Sequence, residues 1–313
     1  NRRFDECYIR QERLRSGSFG TVYTCRHKLK PDVTFAVKIM DRKRLKEKDV
    51  SAVFREVKIL CELAKDTEDE ATPRYIVELI DFFVEPDYFY MVQVYAAGGD
   101  VFDRLTSRKT YTEKDARDLS KKLLETIHFL HTHKPYPIVH RDLKPENLLL
   151  CDSVDDTHIL VADFGFARQI RDNERCETRC GTPAFVSPEI LLGLSYTTTV
   201  DLWSTGCLLY MLIGCYPPFQ APNHRALFRK IRAGDFIFHE QTWKNVSVGA
   251  KRLITHLLTV NESTRSTAEE ALRSDWFDLK PSQLAKVDLS ASLMEMQDFK
   301  PKNTWKKALR ALG

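Results

Sequence analysis

Eight consecutive residues, His140-Arg141-Asp142-Leu143-Lys144-Pro145-Glu146-Asn147, carry an imidazole, two cations, two acids and an amide between two apolar runs. Before them, Leu119, Leu123, Leu124, Ile127 and Leu130 recur at helical spacing, and after them Leu148-Leu149-Leu150 reads as a strand. The flanking runs must be buried, whereas unpaired charges cannot be. The octapeptide is therefore forced into a loop at the edge of a core, where reactive groups are usually mounted. A second strand-like run, Ile159-Leu160-Val161, leads into Asp163-Phe164-Gly165. An acid that closes a strand and precedes a glycine suits a metal ligand at a hinge.

The chain ahead of this loop has a different period. Tyr8-Ile9, Val22 to Cys25 and Thr34 to Ile39 alternate as strands of an antiparallel sheet. Between the first two lies Leu14-Arg15-Ser16-Gly17-Ser18-Phe19-Gly20-Thr21-Val22. Its glycines suit either a hairpin turn or a loop whose backbone approaches a phosphate closely. Lys38 ends Ala36-Val37-Lys38 in an apolar strand, as an edge-strand surface lysine or as a cation in need of a charged partner. The amphipathic stretch from Val50 to Leu63 offers Glu56 beside Val53, Val57 and Leu60. Residues 65–73 are polar and acidic and read as a surface insertion. Strands are expected near Val77–Val84 and Tyr88–Val94, followed by a break at Tyr95-Ala96-Ala97-Gly98-Gly99-Asp100. From Val101 to residue 277 the pattern is mostly helical.

Taken in order, these motifs resemble those of the eukaryotic protein kinases over about residues 8–279. The octapeptide is similar to their catalytic loop, Asp163-Phe164-Gly165 to their metal-binding motif, and Ser187-Pro188-Glu189 to their Ala-Pro-Glu. Asp201-Leu202-Trp203-Ser204-Thr205-Gly206 resembles the start of a family helix, and Arg265 the arginine that pairs with the Ala-Pro-Glu glutamate. One departure is plain: Arg15 stands where the family's first glycine belongs. The resemblance implies an α+β, two-lobed protein kinase fold, with a small β-rich N-lobe (1–95), a large α-rich C-lobe (96–279) and a C-terminal regulatory helical segment (280–313). It implies ATP in the cleft, near Leu14, Gly17, Gly20, Val22, Ala36, Lys38, Gln93, Glu146 and Leu149. Adenine would meet the backbone at Val94 and Ala96, and Gln93 would stand at the gatekeeper position. Lys38 would hold phosphates and be fixed by Glu56, and Asn147 and Asp163 would bind Mg²⁺. Asp142 would accept the hydroxyl proton and Lys144 steady the transferring group. Lys144 resembles the Ser/Thr-specific rather than the tyrosine-specific kinases. The alternative is a catalytically weak kinase-fold scaffold.

The remainder concerns control. Asp288 to Phe299 is amphipathic through Leu289, Leu293 and Met296, and residues 300–313 are basic, with Trp305, Leu309 and Leu312 at helical spacing. Such a segment reads as a calmodulin target, a membrane-surface helix or a last core helix. Kinase body plus this tail resembles the calcium/calmodulin-dependent protein kinases. That resemblance implies autoinhibition, relieved by Ca²⁺/calmodulin at Trp305, Leu309 and Leu312. It also implies an activating phosphate on Thr178 from an upstream kinase, met by Arg141, and protein substrates with an upstream Arg read by Asp100 and Glu146. A formal charge of +4 is too balanced for a nucleic-acid-binding domain, and no apolar run of spanning length argues for a membrane segment. The eight cysteines form no metal-like CxxC spacing and read as reduced thiols, Cys176 and Cys180 included, in a cytoplasmic or nuclear protein. A start at Asn1 and an end at Gly313 lead us to expect a piece of a longer protein, with a second calmodulin anchor beyond its end.

Overall fold

A computed structural model describes residues 2–17, 20–65, 75–107, 112–152, 157–172 and 174–289. A short helix, α1 (Phe4–Cys7), leads into β1 (Tyr8–Ser16), β2 (Thr21–His27) and β3 (Lys30–Asp41). Helix α2 (Glu47–Lys65) follows, then β4 (Leu79–Val84) and β5 (Tyr88–Val94). The strands form one antiparallel sheet in the order β1-β2-β3-β5-β4. Alternation sorts their side chains. Val37 and Val92, paired across β3 and β5, join Phe4, Tyr8, Cys25 and Phe83 on one face. Met40, Phe89 and Met91 face the other way and pack against Val53 of α2. Lys38 pairs with Met91 and so shares the face that looks toward α2, as do Val22, Ala36 and Gln93 by register. Helix α2 also continues into the larger core, where Ile59, Leu60 and Leu63 cluster with Phe164. One helix thus belongs to both lobes.

The β4 strand begins at Leu79 rather than near Val77, because Val77 gives its N–H to Val161 O at 2.9 Å instead of to the sheet. Beyond the break come β6 (Gly99–Asp100), α3 (Val101–Ser107) and α4 (Glu113–Thr132). Thr112 caps α4: its hydroxyl accepts from Asp115 N at 3.3 Å, and Asp115 accepts from Thr112 N at 2.9 Å. The predicted apolar stripe of α4, from Leu119 to Leu130, is buried. Short strands β7 (Ile138–Val139), β8 (Leu148–Leu150), β9 (Ile159–Val161) and β10 (Arg168–Gln169) form two small sheets, β6-β8-β9 and β7-β10.

Helices then dominate: α5 (Pro188–Leu192), α6 (Thr199–Gly214), α7 (His224–Ala233), α8 (Glu240–Trp243), α9 (Val248–Leu257), α10 (Ala268–Leu272) and α11 (Pro281–Leu284). Helix α6 is apolar nearly all round and correspondingly buried. Arg265 reaches Glu189 at 2.7 and 3.0 Å and fixes α5 to the body. Leu289 is buried in the main core, and Glu113 N donates to Val287 O at 3.0 Å. Leu293, Met296, Trp305, Leu309 and Leu312 lie outside the described residues, as does most of the acidic insertion. Among the described residues no helix is long and apolar enough to cross a membrane.

Candidate active site

Strand β7 delivers His140 to the inner end of the loop, and α6 suspends it. Asp201, in the first turn of α6, accepts the N–H groups of His140 and Arg141, both at 2.8 Å, while its Oδ2 lies 3.0 Å from His131 Nε2. His140 is fully buried. Its Nδ1 accepts from Asp142 N at 3.3 Å, which leaves Nε2 to donate to Ala162 O at 3.2 Å. Two backbone partners therefore select one neutral tautomer, and burial holds the imidazole below its ordinary pKa against the nearby carboxylates. Arg141 takes a left-handed backbone, φ 69°, and sends Nε to Phe166 O at 2.7 Å.

Asp142 is buried and held by donors from both sides. Lys144 Nζ forms an ion pair with Oδ2, and Thr182 Oγ1 donates to Oδ1 at 2.8 Å. Asn147 Nδ2 donates to Asp142 O at 2.9 Å, which leaves its own amide oxygen for another partner. The β8–β9 hairpin then brings Asp163 back beside Asn147, with Ala162 N donating to Asn147 O at 2.9 Å. Lys38 Nζ lies 3.2 Å from Asp163 and 3.4 Å from Glu56. Burial alone would raise the Asp163 carboxyl, but the charges of Lys38, Lys144 and Arg15 outweigh it and hold Asp163 well below the usual carboxylate range. Burial dominates at Glu56 and raises it, even beside Lys38. Lys38 itself stays charged, because Asp163 and Glu56 together overcome its desolvation.

Residues 8–277 match the protein kinase domain family. The chain is 34% identical over 307 residues to calcium/calmodulin-dependent protein kinase type 1 of Macrobrachium nipponense, across 98% of this chain and 85% of the relative. It is 34% identical to the type 1 kinase of Caenorhabditis elegans, across 98% and 84%, and 33% identical to the type II kinase of Caenorhabditis briggsae, across 99% and 56%. The chain is a serine/threonine protein kinase of the calcium/calmodulin-dependent protein kinase family.

Its phosphoryl donor is ATP, and the cleft fits one. Gln93 Nε2 is buried without a partner among the described residues. Val94 has spent its N–H on Glu78 O at 3.1 Å, so it can offer adenine only its carbonyl, whereas the Ala96 amide has no partner among the described residues. The two glycines of the loop differ. Among the described residues a Cβ on Gly17 would meet only Gly20 O, at 3.9 Å, and the Gly17 N–H donates to that same oxygen at 2.8 Å. A Cβ on Gly20 would strike Ile39 O and Met40 Cγ, so that glycine is demanded by packing on β3. Leu14 is largely exposed on β1, and Leu149 is half-buried opposite Asp100. Arg15, in place of the first glycine, reaches across the cleft and donates to Glu146 O at 3.0 Å. Asp100 accepts from Asp103 N at 2.8 Å and so also caps α3.

Three contributors had no assigned role in the sequence reading. Thr182 was legible as part of Gly181-Thr182-Pro183, but its bond to Asp142 is a long-range contact. Asp201 was visible only within a motif. Arg55, next to Glu56 on α2, has its guanidinium lowered by burial first and then by the charges of Arg141 and Arg168. These three arginines come from three separate elements, so no local pattern joins them.

Proposed function

We propose that this kinase phosphorylates Ser or Thr in basic-context protein substrates and is held inactive by its C-terminal segment until Ca²⁺/calmodulin removes it. The observation that carries the catalytic part is the buried Asp142 with Lys144, Thr182 and Asn147 around it, facing Asp163 and Lys38. Asp142 would orient the substrate hydroxyl and accept its proton, while Lys144, already beside it, would follow the transferring group. Lys38 would grip the phosphates from the N-lobe. The amide oxygen of Asn147 and the ionised Asp163 are hard oxygen donors of the kind that hold Mg²⁺, which when bound neutralises charge on the triphosphate.

Asp100 and Glu146 support the basic-substrate reading, because β6 and the catalytic loop bring both acids to one end of the cleft. The exposed Thr178 supports the phosphate-switch reading. Its carbonyl accepts from Tyr196 Oη at 2.6 Å, and Arg141 donates to that same hydroxyl at 3.2 Å. Arg55 feels the charges of Arg141 and Arg168, and Arg168 already pairs with Glu174, so an added phosphate would enter a region where cations gather. Burial of Leu289 on the body supports a tail that departs from the C-lobe, and Lys300 and Lys302 are the basic residues that would act as a false substrate. Trp305, Leu309 and Leu312 would then be contested between body and calmodulin. The relatives' names carry the calmodulin part of this reading. Eight cysteines, none of them in a disulfide, support a reducing, cytoplasmic or nuclear location.

The test is phosphate transfer to a basic peptide by the full chain and by a chain ending at Leu289, each with and without Ca²⁺/calmodulin. The shorter chain is expected to be active without calcium, and the full chain only with it. Equal calcium-free activity in both would overturn the inhibitory role of the tail.

A further inference from the structure

The β8–β9 hairpin carries a group that phosphoryl transfer leaves unused. Asn147 and Asp163 flank one end of its two strands. At the other end Cys151 N donates to His158 O at 2.9 Å. That pairing continues the ladder in which Leu150 faces Ile159, so Cys151 and His158 are direct cross-strand neighbours. Asp152 follows at once. The Cys151 thiol, an Asp152 carboxylate oxygen and a His158 ring nitrogen all lie within 4.8 Å of one another, and all three residues are half-buried. The hinge rests on the same spot. Ala97 N donates to Cys151 O at 3.0 Å and Gly98 N to Leu150 O at 3.1 Å, and a Cβ on Gly98 would strike the Asp152 carbonyl. The Tyr75 ring meets His158 edge-on at 6.3 Å and covers one side of the imidazole.

We propose that Cys151, Asp152 and His158 form a site for a divalent transition-metal ion of the zinc class. A thiolate beside an imidazole selects a borderline-soft ion, whereas Mg²⁺ and Ca²⁺ take sets made of oxygen. Ligands of a tetrahedral zinc ion stand roughly 3.3–3.8 Å apart, so the three groups need only small side-chain rotations to close on one. Cys151 gives its thiol proton to solvent as it ligates, and solvent completes the fourth position. The ion would tie together the two strands on which the hinge hangs, at the end opposite Asn147 and Asp163. The proposal does not depend on the calmodulin reading.

The test is titration of the full chain with Co²⁺ in the presence of excess Mg²⁺, followed by the thiolate-to-cobalt charge-transfer absorption. The expected result is a band that saturates at one equivalent and is displaced by Zn²⁺. Cys151→Ser should abolish the band. His158→Ala should weaken binding about tenfold or more, read independently by zinc calorimetry. Cys61→Ser, which removes the exposed thiol of α2, should change neither. Circular dichroism checks that each variant is folded. A band of full strength in Cys151→Ser, affinity unchanged in His158→Ala, or no saturable binding by the parent would each overturn the proposal.

Discussion

The Asp142 carboxylate meets a cation on one oxygen and a hydroxyl on the other, so both its charge and its direction are fixed before any substrate arrives. Asp142→Asn keeps the shape but removes the proposed base. Turnover should fall about a hundredfold or more with little change in thermal midpoint, as steady-state kinetics and calorimetry would read. Lys38→Met should cost at least as much, because it removes both the proposed phosphate contact and the largest charge holding Asp163 ionised. Near-parental turnover in either variant would refute these roles. His140 gives a different kind of prediction. A proton on Nδ1 would point at the Asp142 N–H, so the folded state refuses the proton that an unfolded histidine takes near pH 6.5. The folded pKa lies below the unfolded one. The contribution to stability is therefore present above about pH 6.5 and is lost as pH falls. Selectively labelled imidazole resonances should show His140 charging at a lower pH in the folded protein than in the unfolded chain. A midpoint near 6.5 for His140 would contradict the two-backbone assignment.

Among the elements, α4 and α6 were the most legible in the sequence, one by its apolar stripe and the other by the motif from Asp201 to Gly206 at its start. The five sheet strands were legible as alternation, but their ends were not. The start of β4 was displaced by a bond to β9, a partner far along the chain. The catalytic loop could be read because its residues are contiguous. The influence of Arg141 and Arg168 on Arg55 could not, because the three come from the catalytic loop, β10 and α2. The β1–β2 hairpin held the clearest ambiguity, Arg15. Its guanidinium bonds a neutral carbonyl, yet its charge already reaches Asp163. A triphosphate is a stronger acceptor than a carbonyl, so Arg15 should exchange Glu146 O for phosphate when nucleotide binds. Arg15→Gly should then raise KM for ATP about fivefold and change kcat less than about twofold, as expected for an exposed charge-assisted contact. An unchanged KM would confine Arg15 to its bond with Glu146 O.

At the scale of the whole molecule, α2 is the part that both lobes share, and the arginines proposed to meet a Thr178 phosphate lie on both sides of the same division. A phosphate on Thr178 would therefore act on lobe alignment as well as on its own segment, through charge-assisted bonds worth about 1.5–3 kcal/mol each. Phosphorylation by an activating kinase should raise the parent's activity at least about tenfold and leave Thr178→Ala at its basal rate. Full activation of Thr178→Ala would show that the site is elsewhere. The division has one more consequence. Every side chain that positions Asp142, from Lys144 and Asn147 to Thr182, His140 and Asp201, belongs to the large lobe. The grip of Lys38 on Asp163 crosses between lobes. A compound that wedges the lobes apart would therefore break the nucleotide grip and leave the peptide-facing machinery assembled. Such an inhibitor would compete with ATP and be indifferent to peptide concentration.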